Sequence, residues 1–263
     1  MARRKLSPKP YLLSAWFEPL PSAGELDYDA YPFNLPAVRA IDPARDEGAQ
    51  LRFHPDVTFF VGENGAGKST ILEAIAMASG FSAEGGNKNM RFATTPTDSV
   101  SPLHDHIRCA RSHGRPENEY FLRAESFFNL ATYVDELGYF GTYGGKSLHA
   151  RSHGEAFMAL LLHKFTGNGL YLLDEPEAAL SPNRQLAALS AIDQLVQAHS
   201  QFIIATHSPI LLAYPNAKIL HFDDTGIHEI AYEDTEHFAV TKDFLNHYPR
   251  RLETLLSNDE SDL

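Results

Sequence analysis

The chain has a single cysteine, Cys109, among its 263 residues. That excludes a disulfide framework and any multi-cysteine metal site within one copy. It also lacks any run near the roughly 18 apolar residues that span a bilayer. The longest candidate, Phe202 to Tyr214, is broken by His207, Ser208 and Pro209. The basic start Met1–Leu6 is followed by a short apolar stretch, Tyr11–Phe17, and then by Glu18, Pro19 and Pro21, with no small-residue cleavage pattern. These absences predict a soluble, cytoplasmic protein with no membrane insertion. Positive charge is in deficit too. Twenty-two Lys and Arg against 34 Asp and Glu give a formal charge of −12, which argues against a chain whose whole surface grips nucleic acid and leaves room for a local basic groove. No heptad tract and no repeat of roughly 20–50 residues is present.

What remains is an ordinary globular composition, 43% hydrophobic and 21% charged, long enough to bury a core without staples. An early strand is expected near Tyr31–Val38. Val57–Val61 reads as a buried strand, leading through a glycine-rich turn into a helix over Ser69–Ser79 that Gly80 stops. Residues 82–119 read as loops or a helical insertion. Further strands are expected at Tyr120–Phe128, Gly169–Leu173 and Gln201–Thr206, and a helix at Gly154–Phe165. Ser181 and Pro182 suit the start of another helix, with Leu186, Leu189, Ile192 and Val196 as its apolar face. A hairpin, Lys218–Phe222 with Ile227–Tyr232, and a last helix bearing Phe244, Leu245 and Leu252 and interrupted by Pro249 complete the chain. Strands alternating with helices predict an α/β fold with a mainly parallel sheet.

Gly62-Glu63-Asn64-Gly65-Ala66-Gly67-Lys68-Ser69-Thr70 matches G-x-x-x-x-G-K-[ST] between the predicted strand and helix. Glycines let successive N–H groups turn inward toward phosphates, and the helix start adds its positive end. Lys68 suits the β- and γ-phosphates, and Ser69 suits Mg²⁺. Leu170–Pro176 places Asp174 and Glu175 at the carboxyl end of a buried strand, where α/β sheets bind ligands. Asp174 fits a magnesium carboxylate and Glu175 the group that orients attacking water. His207 ends the next buried strand, where a neutral imidazole reaches a γ-phosphate or that water. Ser152, Gly154 and Glu155 open an apolar helix, suited either to an anion or to simple capping.

In this order the motifs resemble the nucleotide-binding domain of ABC-type P-loop ATPases. Gly62–Ser69 resembles Walker A, Arg151–Glu155 a degenerate LSGGQ signature, Leu170–Glu175 Walker B with its glutamate, Glu177–Pro182 the D-loop, and His207 the switch histidine. Within the superfamily the sequence is similar to small stand-alone bacterial AAA/ABC ATPases, kin to the structural-maintenance-of-chromosomes, recombination-repair and overcoming-lysogenisation-defect ATPases. The tail Thr241–Asn246 is similar to that group as well. The resemblance implies one domain over 1–263: a RecA-like core at about 26–84 and 165–235, a helical signature lobe at about 85–164 and a C-terminal helix at about 236–256. It implies ATP and Mg²⁺ as ligands and an ATP-dependent homodimer. There Lys68, Ser69, Asp174, Glu175 and His207 of one copy meet Ser152 and Gly154 of the other. Hydrolysis would then serve an effector protein or a nucleic-acid process. The rival implications are an ATP-gated clamp with negligible turnover and a transporter subunit.

The pattern departs from the family at four places. Arg151 stands for the signature Leu, His153 for its first Gly, and Ser181 for the D-loop Asp; no glutamine lies between Thr70 and Ser152 to serve a Q-loop. Tyr31 and Phe33 are the upstream aromatics available for adenine. His104, His106 and His113, and the pair His149 and His153, read as solvated histidines in preference to metal ligands. Lys88, Arg91, Arg108, Arg111, Arg115 and Arg123 outnumber Asp98, Asp105, Glu117 and Glu119 locally, which reads as a solvated face. Arg123 and Glu125 are expected to pair.

Overall fold

The computed structural model describes residues 9–21, 26–88, 101–124, 132 and 152–257. Arg91, Asp98, Glu125, His149 and Arg151 lie outside the described residues, as do 89–100, 125–131 and 133–151 of the stretch assigned to a signature lobe.

Three strands form the centre of a six-stranded sheet: β3 (Val57–Gly62), β6 (Gly169–Asp174) and β7 (Gln201–Ala205). Every residue in them is buried. Unbroken apolar runs of this kind suit parallel strands covered on both faces. With β5 (Asn118–Arg123), β8 (Lys218–Asp223) and β9 (Gly226–Ile230), the strand order is β5-β6-β7-β3-β8-β9, parallel throughout except for the β8–β9 hairpin. Successive side chains alternate between two cores. Val57, Phe59 and Val61 face α3 (His153–Ala159) and α4 (Pro182–Gln197), whereas Phe60 joins Ile71, Leu72 and Ile75 of α2 (Lys68–Ala78). Beyond that second core lies an antiparallel sheet, β2-β1-β4, of β1 (Leu12–Phe17), β2 (Leu51–Arg52) and β4 (Ile107–Arg111).

Several expectations need correction. Tyr31–Val38 is no strand: it holds turns and the short helix α1 (Pro36–Arg39), because Pro32 and Pro36 lack the N–H a ladder needs. The early strand is β1 instead. Residues 82–119 are not purely loops or helix, since β4 and the start of β5 fall there, and β5 is an integral strand of the main sheet inside the range read as a helical lobe. Leu186 is 56% exposed, so the buried face of α4 is Ala188, Ala191, Ile192, Leu195 and Val196. Ser181 precedes α4 without a side-chain capping bond. The helix at Gly154 turns after Ala159 into a π-helical segment, Leu160–Lys164. After the short helix α5 (Pro209–Leu212), the last helix, α6 (Glu236–Leu256), starts earlier than its apolar residues suggest and is kinked at His247, just before Pro249.

Candidate functional site

The loop after β3 is shaped by glycine. A Cβ on Gly62 would lie 2.2 Å from the carbonyl oxygen of Phe222 on β8, so no other residue fits where the two strands diverge. Gly65 and Gly67 have φ of +86° and +95°, which turns the backbone into α2. Helix α2 begins at Lys68 with no side-chain cap and no acidic residue in its first turn. Its leading N–H groups and positive end are thus left for an anion.

Lys68 is buried, and its ammonium donates to the carbonyls of Gly62 and Glu63, each at 2.8 Å. An ammonium has three N–H donors, so this geometry commits two of them. Burial lowers the Lys68 pKa, opposed by the nearby carboxylates of Glu175, Asp174 and Glu177. Ser69 Oγ donates to Asp174 Oδ1 at 2.9 Å, which joins the start of α2 to the end of β6 although β7 and not β6 lies beside β3. A hydroxyl bonded to a buried carboxylate at the mouth of an uncapped helix is a hard oxygen donor set, and it fits magnesium.

Glu175 follows Asp174 with φ 49°, left-handed and unusual for a side-chain-bearing residue. Its N–H still donates to Ala205 of β7 at 2.9 Å, so the twist redirects the side chain without breaking the ladder. Neighbouring strand β7 delivers His207, whose Nε2 lies 3.8 Å from Glu175 Oε1. The His207 N–H donates to Glu177 Oε1 at 2.6 Å. Burial, then Lys68 and His237, push the His207 pKa down to about 4, so its imidazole is neutral at physiological pH. Burial raises the Glu177 carboxyl.

Ser152, Gly154 and Glu155 form a separate cluster. Ser152 Oγ accepts from Glu155 N at 3.3 Å while Glu155 Oε2 accepts from Ser152 N at 2.9 Å, a reciprocal capping box on α3. Arg184 of α4 donates to Ser152 Oγ at 3.1 Å and to Glu155 Oε1 at 3.3 Å. Gly154 is required by close packing: a Cβ there would lie 2.6 Å from the carbonyl oxygen of Ala179. Ser152, Gly154, Arg184 and Glu175 line one cleft of about 410 Å³. A further cleft of about 540 Å³ adjoins Glu63, Asn64, Gly65 and Ala66. Thr70, the last motif residue, shares a 3.0 Å hydroxyl–hydroxyl hydrogen bond with Tyr31, which is 63% exposed. Phe33 is buried against Phe17 and His106, which removes it as an adenine platform.

The roles of three residues escaped the sequence reading. Arg123 lies 2.9 Å from Glu73 of α2 and 3.9 Å from Asp174, binding three elements behind the magnesium candidates. Glu177 and His237 flank His207. No sequence spacing signals such contacts, which depend on strand order. Two of the histidines weighed as metal ligands have other partners: His106 is buried and accepts from Leu20 N, and His104 meets Ser101 O. Among the described residues no group of three or more His, Cys, Asp or Glu is placed to hold a metal ion. Lys88 and Arg111 of the basic stretch both approach Glu119, at 2.5 and 3.7 Å.

A family model described as an AAA domain matches residues 37–130. No curated protein matches the chain. Among solved structures, the chain is similar to an Smc head bound to the C-winged helix domain of ScpA, at 16% identity over 84% of this chain and 97% of that one, with TM-score 0.45. It is also similar to CbiO1 from Clostridium perfringens, part of the ABC transporter complex cbiONQ: 16% identity, 78% and 90% coverage, TM-score 0.41. A putative metal-chelate type ABC transporter in an inward-facing conformation matches at 16% identity over 73% and 78%, with TM-score 0.39. The strand β3, its glycine-rich loop and α2, with paired carboxylates ending β6 and a histidine ending β7, make this an α/β fold whose mostly parallel sheet carries a P-loop motif. Among the described residues no helix is long and apolar enough to cross a membrane.

Proposed function

We propose that this chain is a P-loop ATPase that binds Mg-ATP on the Gly62–Thr70 loop and hydrolyses it to ADP and phosphate. The observation that carries this reading is the 2.9 Å bond from Ser69 to Asp174, with Glu175 and a neutral His207 beside it. Loop N–H groups and the α2 start receive the phosphates, and Lys68 neutralises their charge from a buried position. Ser69 and Asp174 would hold magnesium, which supplies charge neutralisation on the phosphate oxygens. The Glu175 carboxylate accepts a hydrogen bond from the attacking water and aligns it, and His207 holds the water or the γ-phosphate from the adjacent strand.

The second half of the site comes from another copy. Ser152 accepts from both Glu155 and Arg184, so its hydroxyl proton remains available to donate to a phosphate oxygen, with the Arg184 cation alongside. ATP then becomes part of a homodimer interface, and binding and closure are thermodynamically linked. Residues 26–84 and 165–235, joined by β4 and β5, serve as the core lobe, the rest of 85–164 carries the partner-facing signature, and 236–256 form a C-terminal helix. The dimer acts in the cytoplasm, where ATP is supplied, on an effector protein or nucleic acid. Glu175→Gln abolishes multiple-turnover phosphate release and accumulates ATP-bound dimers in analytical ultracentrifugation. Wild-type turnover by that variant overturns the role of Glu175. The same ultracentrifugation with ATP tests the dimer, and a monomer at every ATP concentration removes it.

A further inference from the structure

A neutral imidazole carries one N–H, and the nitrogen that bears it decides whether the ring offers a donor or a lone pair to the site. His207 Nε2 is buried, and Glu175 Oε1 lies 3.8 Å from it. A lone pair aimed at a carboxylate oxygen is repelled, whereas an N–H is attracted. The ring is therefore the Nε2–H tautomer, an assignment made from the surrounding network. Its Nδ1 must then accept a hydrogen bond, and the atom facing it is Nε2 of His237 at 2.9 Å.

His237 lies in the first turn of α6, a turn fastened to the loop that carries His207. Thr235 is fully buried, accepts from Phe238 N at 3.3 Å and donates to Tyr232 O at 2.7 Å. Tyr232 packs on Phe238 with ring centroids 4.6 Å apart and donates its hydroxyl proton to the Pro209 carbonyl at 2.8 Å. Pro209 is two residues beyond His207, so the donor and the acceptor of the imidazole pair are held by one short framework.

Resting on the ATPase reading above, we propose that His237 is a positioning residue for hydrolysis: it donates its Nε2–H to His207 Nδ1 and so fixes His207 with an Nε2–H facing Glu175 and the nucleotide. Burial disfavours protonation of both rings, Lys68 adds to this at each, and His237 adds to it at His207, which favours a neutral donor–acceptor pair.

The test compares His237→Phe, His237→Asn and His237→Gln in the full chain, measured by phosphate release over a range of ATP. Gln places an amide N–H near the position of imidazole Nε2, and Asn does not reach it. His237→Phe and His237→Asn are expected to lose roughly tenfold in kcat with KM for ATP changed less than about twofold, while His237→Gln recovers most of kcat. In a His207→Ala background His237→Phe should cost nothing further. Imidazole ¹⁵N spectra of the nucleotide-free chain give a readout independent of turnover, in which His207 shows a protonated Nε2 and a bare Nδ1 that changes in His237→Phe. Thermal melts identify a variant that fails to fold, and His237→Gln then carries the comparison. An active wild-type chain whose His207 is protonated on Nδ1, or full kcat in folded His237→Phe, overturns the proposal. A wild-type chain that releases no phosphate overturns the ATPase reading itself, and is recognised before any variant is made.

Discussion

His207 is buried, Lys68 and His237 disfavour its protonation further, and Glu177 holds its backbone N–H. Glu175 and Glu177 approach from the end of β6, Lys68 from α2, and His237 from α6, where Glu236 is also near. The consequence for stability has a definite sign. In the unfolded chain His207 takes a proton near 6.5; folded, it does so only near 4, and burial lowers His237 in the same sense. Between those values the unfolded state binds more protons, so this contribution is complete above about pH 6.5 and is lost as pH falls toward 4. Glu177 acts oppositely, because its raised carboxyl lets the folded state take a proton first. The difference between wild type and a His207→Gln, His237→Gln double variant isolates the histidines. The urea midpoint of wild type should fall more steeply from pH 7 to 4.5 than that of the double variant. Parallel slopes would show that the imidazoles titrate normally in the fold. The contiguous motifs at Gly62–Thr70 and Asp174–Glu175 were legible because chemistry there sits on neighbouring residues. Glu177, Arg123 and His237 were not, since their roles exist only once β6, β7 and α6 converge.

Among elements, the buried parallel strands were plain in the sequence because their apolar runs have no competing pattern. β4 was hidden: Arg108 and Arg111 obscure alternation in a strand whose outer face meets solvent. Pro32 and Pro36 misled in the other direction, within a stretch of apolar residues that reads as strand until the missing donors are counted. Helix α6 was anticipated from its apolar residues, yet none of its residues is buried, and Val240, Leu245, Tyr248, Leu255 and Leu256 are more than half exposed. Beyond the His247 kink its side-chain bonds are internal, as between Asp243 and Arg251. Removal of residues from His247 onward should therefore shift the melting temperature by less than about 2 °C and leave ATP turnover as it was. Removal from Thr235 onward also takes away the Thr235 cap and His237, and should lower kcat. A large loss of stability in the shorter deletion would mean that the distal half of α6 packs on the body of the protein.

At the scale of the molecule, the antiparallel sheet must be held on the parallel one, and a buried amide does much of this. Gln201 opens β7 and has no exposed surface. Its Oε1 accepts from Tyr11 N at 2.9 Å and Leu12 N at 3.0 Å, and its Nε2 donates to Leu12 O at 2.9 Å and His54 O at 3.0 Å. All four hydrogen bonds of the amide go to backbone at the approach to β1 and the loop before β3. Lys9 reinforces the join through Asp56 at 2.5 Å and Val196 O at 3.0 Å, and Tyr11 through His199 O at 3.0 Å. Gln201→Leu keeps the volume but strands backbone donors and acceptors in an apolar interior, which should cost about 2–4 kcal/mol. His207 sits at the far end of the same strand, so turnover per folded molecule should be little changed. Urea denaturation and phosphate release on the same preparation separate the two effects. An unchanged midpoint would mean that the two sheets are held together by their shared apolar core alone. A loss of turnover without a loss of stability would mean that β7 transmits strain from one end of the sheet to the histidine at the other.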